Sequence, residues 1–251
     1  MSKKLFTSLF LVFFNIFGMN PAFSSCEDEA GPEVNWANCD FTGIDLKNKD
    51  LSNAILTSAQ FDNADFSGAI LENADLNFAK LENARFDGAR MNNTRLVAVK
   101  AQGASFKGAV LEGSRLSRSK LKNADFTGAK ADNANFYDAK LESAIFIRAR
   151  LNKTTFERSN LNRANFNHSE LKQSVLREAQ LHQTSFKNAD LTKAILDESD
   201  CRDADFTQAN LKKASFREAE IEESIFTGAL LGDTIWSDYK RCRASSVGEC
   251  Q

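Results

Sequence analysis

The sequence predicts an all-β fold, a four-sided β-solenoid, on three observations: an apolar beat of five residues, a second beat of twenty, and corner residues at a fixed offset. Residues 71–90, LENADLNFAKLENARFDGAR, show the first. Leu71, Leu76, Leu81 and Phe86 are each followed three places later by Ala74, Ala79, Ala84 and Ala89. At the helical turn of about 100° per residue, gaps of three and two scatter around the circumference and form no buried stripe. A strand needs strict alternation, which one gap in every two breaks. The period therefore belongs to a coil larger than one helix or strand.

From Trp36 to Lys240 the beat runs without an insertion. The large residue, position i, runs Trp36, Phe41, Leu46, Leu51, Leu56, Phe61, and on to Phe226, Leu231 and Trp236. Position i+3 is small, usually Ala and otherwise mostly Ser or Thr, with Cys39, Ile44, Lys49 and Val99 among the exceptions. Position i+2 marks the bend: eight of the twelve glycines fall there, with Asn48, Asn53, Asn63, Asn73 and others. Gly and Asn tolerate turn conformations that other residues resist. Each block thus reads as a short extended piece and a corner, with the small residue and the next large one pointing inward.

The second beat gives the number of sides. Phe66, Phe86, Phe106, Phe126, Phe146, Phe166, Phe186, Phe206 and Phe226 recur every twenty residues, which is four blocks per turn and an interior phenylalanine ladder. Both prolines, Pro21 and Pro32, precede the repeat, as expected where almost every later N–H is needed for pairing.

Residues 1–24 have the layout of a secretory signal peptide: Lys3 and Lys4, an apolar run from Leu5 to Met19, and a small-residue site at Ala22-Phe23-Ser24. The run is short for a span of about 20 residues, which counts against an uncleaved anchor. Lipidation at Cys26 is an alternative, although FSSC lacks an aliphatic residue three places before the cysteine. Export implies an oxidising compartment, periplasmic or extracellular. The placement of the cysteines suggests pairing at both ends, Cys26 with Cys39 in a capping segment at 25–35, and Cys242 with Cys250 in a cap at 241–251, with Cys201 alone inside the repeat. Zinc is not expected, because no C-x-x-C occurs and neither His168 nor His182 lies near a cysteine in sequence.

The blocks ADLNF, ADFSG, ADFTG, ANFYD and ADFTQ resemble the pentapeptide-repeat family, whose motif is roughly A-[D/N]-[L/F]-x-x. The resemblance covers residues 36–240 and implies a right-handed quadrilateral β-solenoid of about ten coils, spaced about 4.8 Å apart. VNWANCDFTGIDL and WSDYKRCRASSVGEC are similar to the ends of exported bacterial members. Among family roles, a DNA-mimicking topoisomerase inhibitor or resistance protein is one alternative, but it implies a strongly acidic rod in the cytoplasm. A secreted host-directed effector is another.

The unbroken repeat leaves no inserted loop on which to graft an active site, and no nucleophile-elbow, Walker, zincin or dinucleotide motif appears. No enzyme activity, cofactor, metal, small-molecule substrate, nucleic acid or membrane span after signal cleavage is expected. Loss of residues 1–24 removes two lysines and moves the formal charge from −2 to −4. Residues 26–75 carry eleven acidic against two basic residues, 80–122 carry three against ten, and 196–238 carry eleven against four. The rod therefore has acidic ends and a basic middle. Lys80, Lys100, Lys120 and Lys140 recur every twenty residues and should stack as an anion-binding ladder, with Arg85, Arg90 and Arg95 nearby. The alternative is a row of solvated lysines whose role is to discourage aggregation. Val175, Ile195 and Ile235, and Ile145 with Ile147, form short apolar rows. The expected function is a rigid scaffold for a protein or an anionic envelope polymer, of open oligomeric state.

Overall fold

The computed structural model describes residues 25–251, so the predicted signal peptide lies outside the described residues. Parallel bridges join residues twenty apart, from Asn35 with Ile55 through to Ser215 with Ile235. Four of them close each coil, one per side. Among the described residues there is no helix.

One block shows why the five-residue motif folds this way. Phe126 N–H donates to Ile145 O at 2.7 Å and Gly128 N–H to Ile147 O at 2.9 Å, both in the following coil. Lys130 N–H donates back to Ala109 O at 2.9 Å. Ala129 N–H closes the corner on Phe126 O at 3.0 Å, and Gly128 sits at φ +67°, the geometry of a type II turn. The Asp or Asn before position i completes the corner: Asp125 Oδ1 accepts from Thr127 N–H at 2.9 Å, as Asp65 does from Ser67 and Asp75 from Asn77 at 3.0 Å each. A short acidic or amide side chain at this place thus satisfies a turn N–H that the ladder does not reach. Burial opposes ionisation of Asp125, but hydrogen bonds from Thr127 and the charge of Lys107 outweigh it and hold the carboxyl below its usual range.

The corner rule extends beyond glycine and asparagine. Arg118, Lys153, Arg158, Glu178, Lys193 and Glu218 all take the same left-handed conformation, with φ between 55° and 61°. Ladder hydrogen bonds from neighbouring coils force these residues into a region that their side chains disfavour.

The inward positions form one continuous apolar cluster from Val34 to Cys242. The phenylalanine ladder stacks from Phe66 to Phe226 with ring centroids 4.7–5.0 Å apart and planes within 9° of parallel. Phe66 through Phe206 are fully buried, whereas Phe226 at the end is only partly so. Complete burial of each ring is worth about 1.5–3 kcal/mol. A second stack, Phe136 on Phe156 at 4.9 Å, meets the ladder edge-on: Phe126 and Phe136 lie 5.6 Å apart at 89°. Buried hydroxyls that replace alanine reach carbonyls, as Thr94 does to Leu71 O at 2.7 Å and Ser119 to Leu96 O at 2.6 Å.

Both ends carry added chain over at least part of the edge. Coil geometry begins at residues 31–35: Glu33 has φ 61°, Val34 is buried, and Glu33 N–H donates to Ser52 O at 2.8 Å. The five-residue beat does not reveal this block, because Gly31 stands where the large residue belongs. Cys26 and Cys39 form a disulfide, and Trp36 Nε1 donates to Asp28 O at 3.2 Å. At the other end parallel bridging reaches Ile235, and the chain then turns back, with Arg241 and Val247 pairing antiparallel to Ile235 and Leu230. A disulfide joins Cys242 to Cys250, while Cys201 is a free, buried thiol.

Candidate functional site

The residue before position i points outward from the middle of each side, so its row is a straight line down the rod. In one row the order is Asp40, Gln60, Lys80, Lys100, Lys120, Lys140, Asn160, Gln180, Asp200 and Glu220, each bridged to the next. The row is acidic at both ends and basic in the middle. Successive members stand about 4.8 Å apart by strand spacing, so four lysines present a linear array of ammonium groups.

Whether such cations are available depends on their neighbours. Seven ion pairs join residues eighteen apart, diagonally across a corner between adjacent coils: Lys47–Asp65, Arg90–Glu72, Lys107–Asp125, Arg150–Asp132, Lys172–Asp190, Lys187–Asp205 and Arg202–Glu220. The positions eighteen before Lys120 and Lys140 hold Gln102 and Lys122, which offer no carboxylate. Lys80 donates to Gln60 Oε1 at 3.0 Å. Lys100, Lys120 and Lys140 are exposed and make no ion pair among the described residues.

The arginines expected beside the ladder behave differently. Arg85 lies 3.4 Å from Asp65 and 3.1 Å from Asp87, Arg90 lies 2.7 Å from Glu72, and Arg95 lies 3.0 Å from Asp75. Their charge is locally compensated, so they add little to the strip. In their place the coil of Lys120 supplies Arg115, Arg118 and Lys122, all exposed and without an ion pair among the described residues. A count of basic residues did not separate these groups, because pairing depends on which carboxylates the stacked coils bring alongside, eighteen or twenty residues away.

Other candidates disperse. His168 is exposed at a corner, while His182 Nδ1 lies 3.4 Å from Asp203 on another side. No cluster of three or more His, Cys, Asp or Glu fit to hold a metal occurs among the described residues. Val175, Ile195, Ile235, Ile145 and Ile147 are half-buried, and Ser215 separates Ile195 from Ile235 in its row. No helix among the described residues is long and apolar enough to cross a membrane.

A sequence model of the pentapeptide repeat region matches residues 79–156 and 149–226, and one of eight pentapeptide repeats matches residues 37–73. The chain belongs to the pentapeptide-repeat family. Pentapeptide-repeat proteins act as non-catalytic scaffolds that bind proteins or polymers, and this one presents a continuous surface of stacked rows. No curated protein matches the chain in sequence. Among solved structures, HetL, a pentapeptide repeat protein involved in heterocyst differentiation regulation in the cyanobacterium Nostoc, is 24% identical. The match covers 84% of this chain and 92% of HetL, with a TM-score of 0.43. QnrB1, a plasmid-mediated fluoroquinolone resistance protein, is 16% identical over 77% of this chain and 85% of its own, with a TM-score of 0.41. A pentapeptide repeat protein of the Arabidopsis thaliana thylakoid lumen is 32% identical over 52% of this chain and 70% of its own, with a TM-score of 0.21.

Proposed function

We propose that this pentapeptide-repeat protein is exported and holds a protein or an anionic envelope polymer against the basic strip on its middle coils. In this reading residues 1–24 are a signal peptide, 25–35 and 241–251 are caps, and the rigid solenoid between them is the binding surface. The observation that carries it is the in-register row Lys100, Lys120 and Lys140, exposed and unpaired in a rod where many other cations meet a carboxylate. A rigid array of like charges keeps its field without reorganising, and it suits a partner whose negative charges also repeat. Two disulfides that tie down the ends support an oxidising destination.

The test is charge reversal. Replacing Lys80, Lys100, Lys120 and Lys140 with Glu removes binding to anionic envelope fractions, and wild-type binding weakens with added salt. Unchanged binding by the quadruple variant ends the claim of the strip. Cell fractionation separates periplasmic from secreted destinations and from a host-directed role. The DNA-mimicry reading needs an acidic surface where this rod is basic; inhibition of gyrase supercoiling by the purified protein would reinstate it.

A further inference from the structure

The C-terminal cap covers only part of the last coil. Leu231 N–H donates to Ser246 O and Cys242 N–H to Thr234 O, both at 2.9 Å, so the sides formed by residues 229–235 are closed by the returning tail. Along residues 219–225 the ladder has no continuation, whereas the tail returns over Gly228, where a Cβ added at Gly248 would stand 3.7 Å from Gly228 N. One coil earlier, Cys201, Asp203 and Phe206 N–H donate to Glu220, Glu222 and Ile225 O at 2.7, 3.1 and 2.7 Å. The equivalent N–H groups of Ile221, Glu223 and Phe226, and the carbonyls of Ala219 and Ser224, have no such partner among the described residues.

The side chains on this edge are also uncovered. Cys201 and Phe206 are fully buried, but Ile221 and Phe226, next in the same rows, are only partly buried, and Ile225 is 46% exposed. Residues Val247–Glu249 form the wall of a cleft whose floor is Ser224–Gly228. Glu220, Glu222 and Glu223 ring the edge, and Glu222 and Glu223 have no ion pair among the described residues. Open strand edges with apolar flanks take up extended chain from another molecule.

We infer that this half-open edge docks an extended basic segment of a protein partner, which adds as the first rungs of a further coil. Its backbone accepts from Ile221, Glu223 and Phe226 and donates to Ala219 and Ser224. Its apolar side chains cover Ile221, next to Phe226, which Trp236 already flanks at 4.9 Å between ring centroids, and its lysines or arginines meet Glu220, Glu222 and Glu223. A second copy of this chain does not fit by charge. Stacked head to tail, it brings Asp40 and Asp45 onto the rows of Glu220 and Ile225, with Glu27, Asp28, Glu29 and Glu33 close by in sequence. The inference is independent of the lysine strip.

The chain itself supplies a probe. Residues 119–125, SKLKNAD, occupy the same rows five coils earlier and bridge to Lys100 and Ser105 through Lys120 and Asp125. Laid over 219–225, the synthetic heptapeptide sets lysines on Glu220 and Glu222 and leucine on Ile221, and it ends before the tail at Gly248. Titrated at millimolar concentration into the ¹⁵N-labelled purified protein, it should shift the amides of Ile221, Glu223 and Phe226. At about ten times its Kd it should slow their exchange roughly tenfold. The protein carrying Glu220→Lys, Glu222→Lys and Glu223→Lys should lose the response, as should a peptide with both lysines replaced by glutamate. The proposal is overturned by no shift at these amides, by equal binding of the acidic peptide, by shifts confined to the lysine strip, or by self-association of the protein through this edge in sedimentation.

Discussion

Phe126 and Phe146 are twenty residues apart in sequence and stack with ring centroids 4.8 Å apart and planes 5° from parallel. Phe136 and Phe156 meet this pair edge-on, at 5.6 Å each. Offset stacking along the rod and edge contacts across it use both favourable aromatic geometries in one core.

Phe126→Ala therefore removes a ring that touches neighbours above, below and beside it. The expected loss is about 3–5 kcal/mol, while Phe126→Leu costs less because leucine already serves in the other inward rows. Because each coil depends on its nearest neighbours, the alanine variant should also split urea unfolding into two phases. Circular dichroism and aromatic fluorescence measured together test this. A single unshifted transition would show that the ladder is not the source of cohesion.

The inward positions were legible because a narrow four-sided core favours one large and one small residue per block, so the beat carries through the sequence with few departures, such as Ala101 and Ala131 at the large position. The corners were only half legible. Gly and Asn announce most bends up to Asn133, but Phe78, Ala98 and Arg118 before it and Lys153, Arg158 and Glu178 after it bend identically with no local signal, because coil-to-coil hydrogen bonds override their preference. The tail was less legible still. Its antiparallel return to Leu230 and Ile235 follows no repeat, and the open edge beside it is a consequence of where that return stops. The free cations were hidden for a different reason, since the diagonal pairing that neutralises Arg90 and spares Lys120 is a property of stacked coils.

Corner strain makes its own prediction. Lys153 is exposed at φ 59° and makes no ion pair among the described residues. Left-handed backbone costs a non-glycine residue about 1–2 kcal/mol, and glycine returns about 0.5–1 kcal/mol of that through its freer unfolded chain. Lys153→Gly should therefore raise stability by up to about 1 kcal/mol. Gly128→Ala should lower it by up to about 1 kcal/mol, since its φ is +67° and an added Cβ meets nothing within 4 Å, leaving backbone strain, partly offset by alanine's stiffer unfolded chain, as the cause. Urea midpoints of the two variants should move in opposite directions; movement in the same direction would remove strain as the explanation.

Cys201 links stability to alkaline pH. Burial pushes its thiol up to about 12 from the ordinary 9.0, against the hydrogen bond of Ser199 and with the charge of Asp200. A group whose folded pKa is raised contributes stability that is complete below its unfolded pKa, and that stability is lost as pH rises from about 9 towards 12. Wild type should lose more stability than Cys201→Ala between about pH 8 and pH 11, apart from any constant offset due to the smaller side chain. The native thiol should also resist alkylation at neutral pH. Equal pH slopes for the two proteins would mean that the thiol ionises freely in the fold.

The lysine strip carries a cost that the last prediction reads directly. Lys120 is bridged to Lys100 on one side and Lys140 on the other, at a strand spacing of about 4.8 Å, with no carboxylate on its diagonal. Like charges opposite one another across strands destabilise the pairing. Lys120→Gln should therefore raise stability by about 0.2–1 kcal/mol at low ionic strength. The gain should disappear in about 1 M salt, where the screening length is about 3 Å. Lys107→Gln is the matched control, because Lys107 meets Asp125 at 3.2 Å and its loss should lower stability or leave it unchanged. If Lys120→Gln is neutral at low salt, the array carries no repulsion. If it stabilises while weakening capture of anionic envelope material, the same row opposes folding and supplies binding.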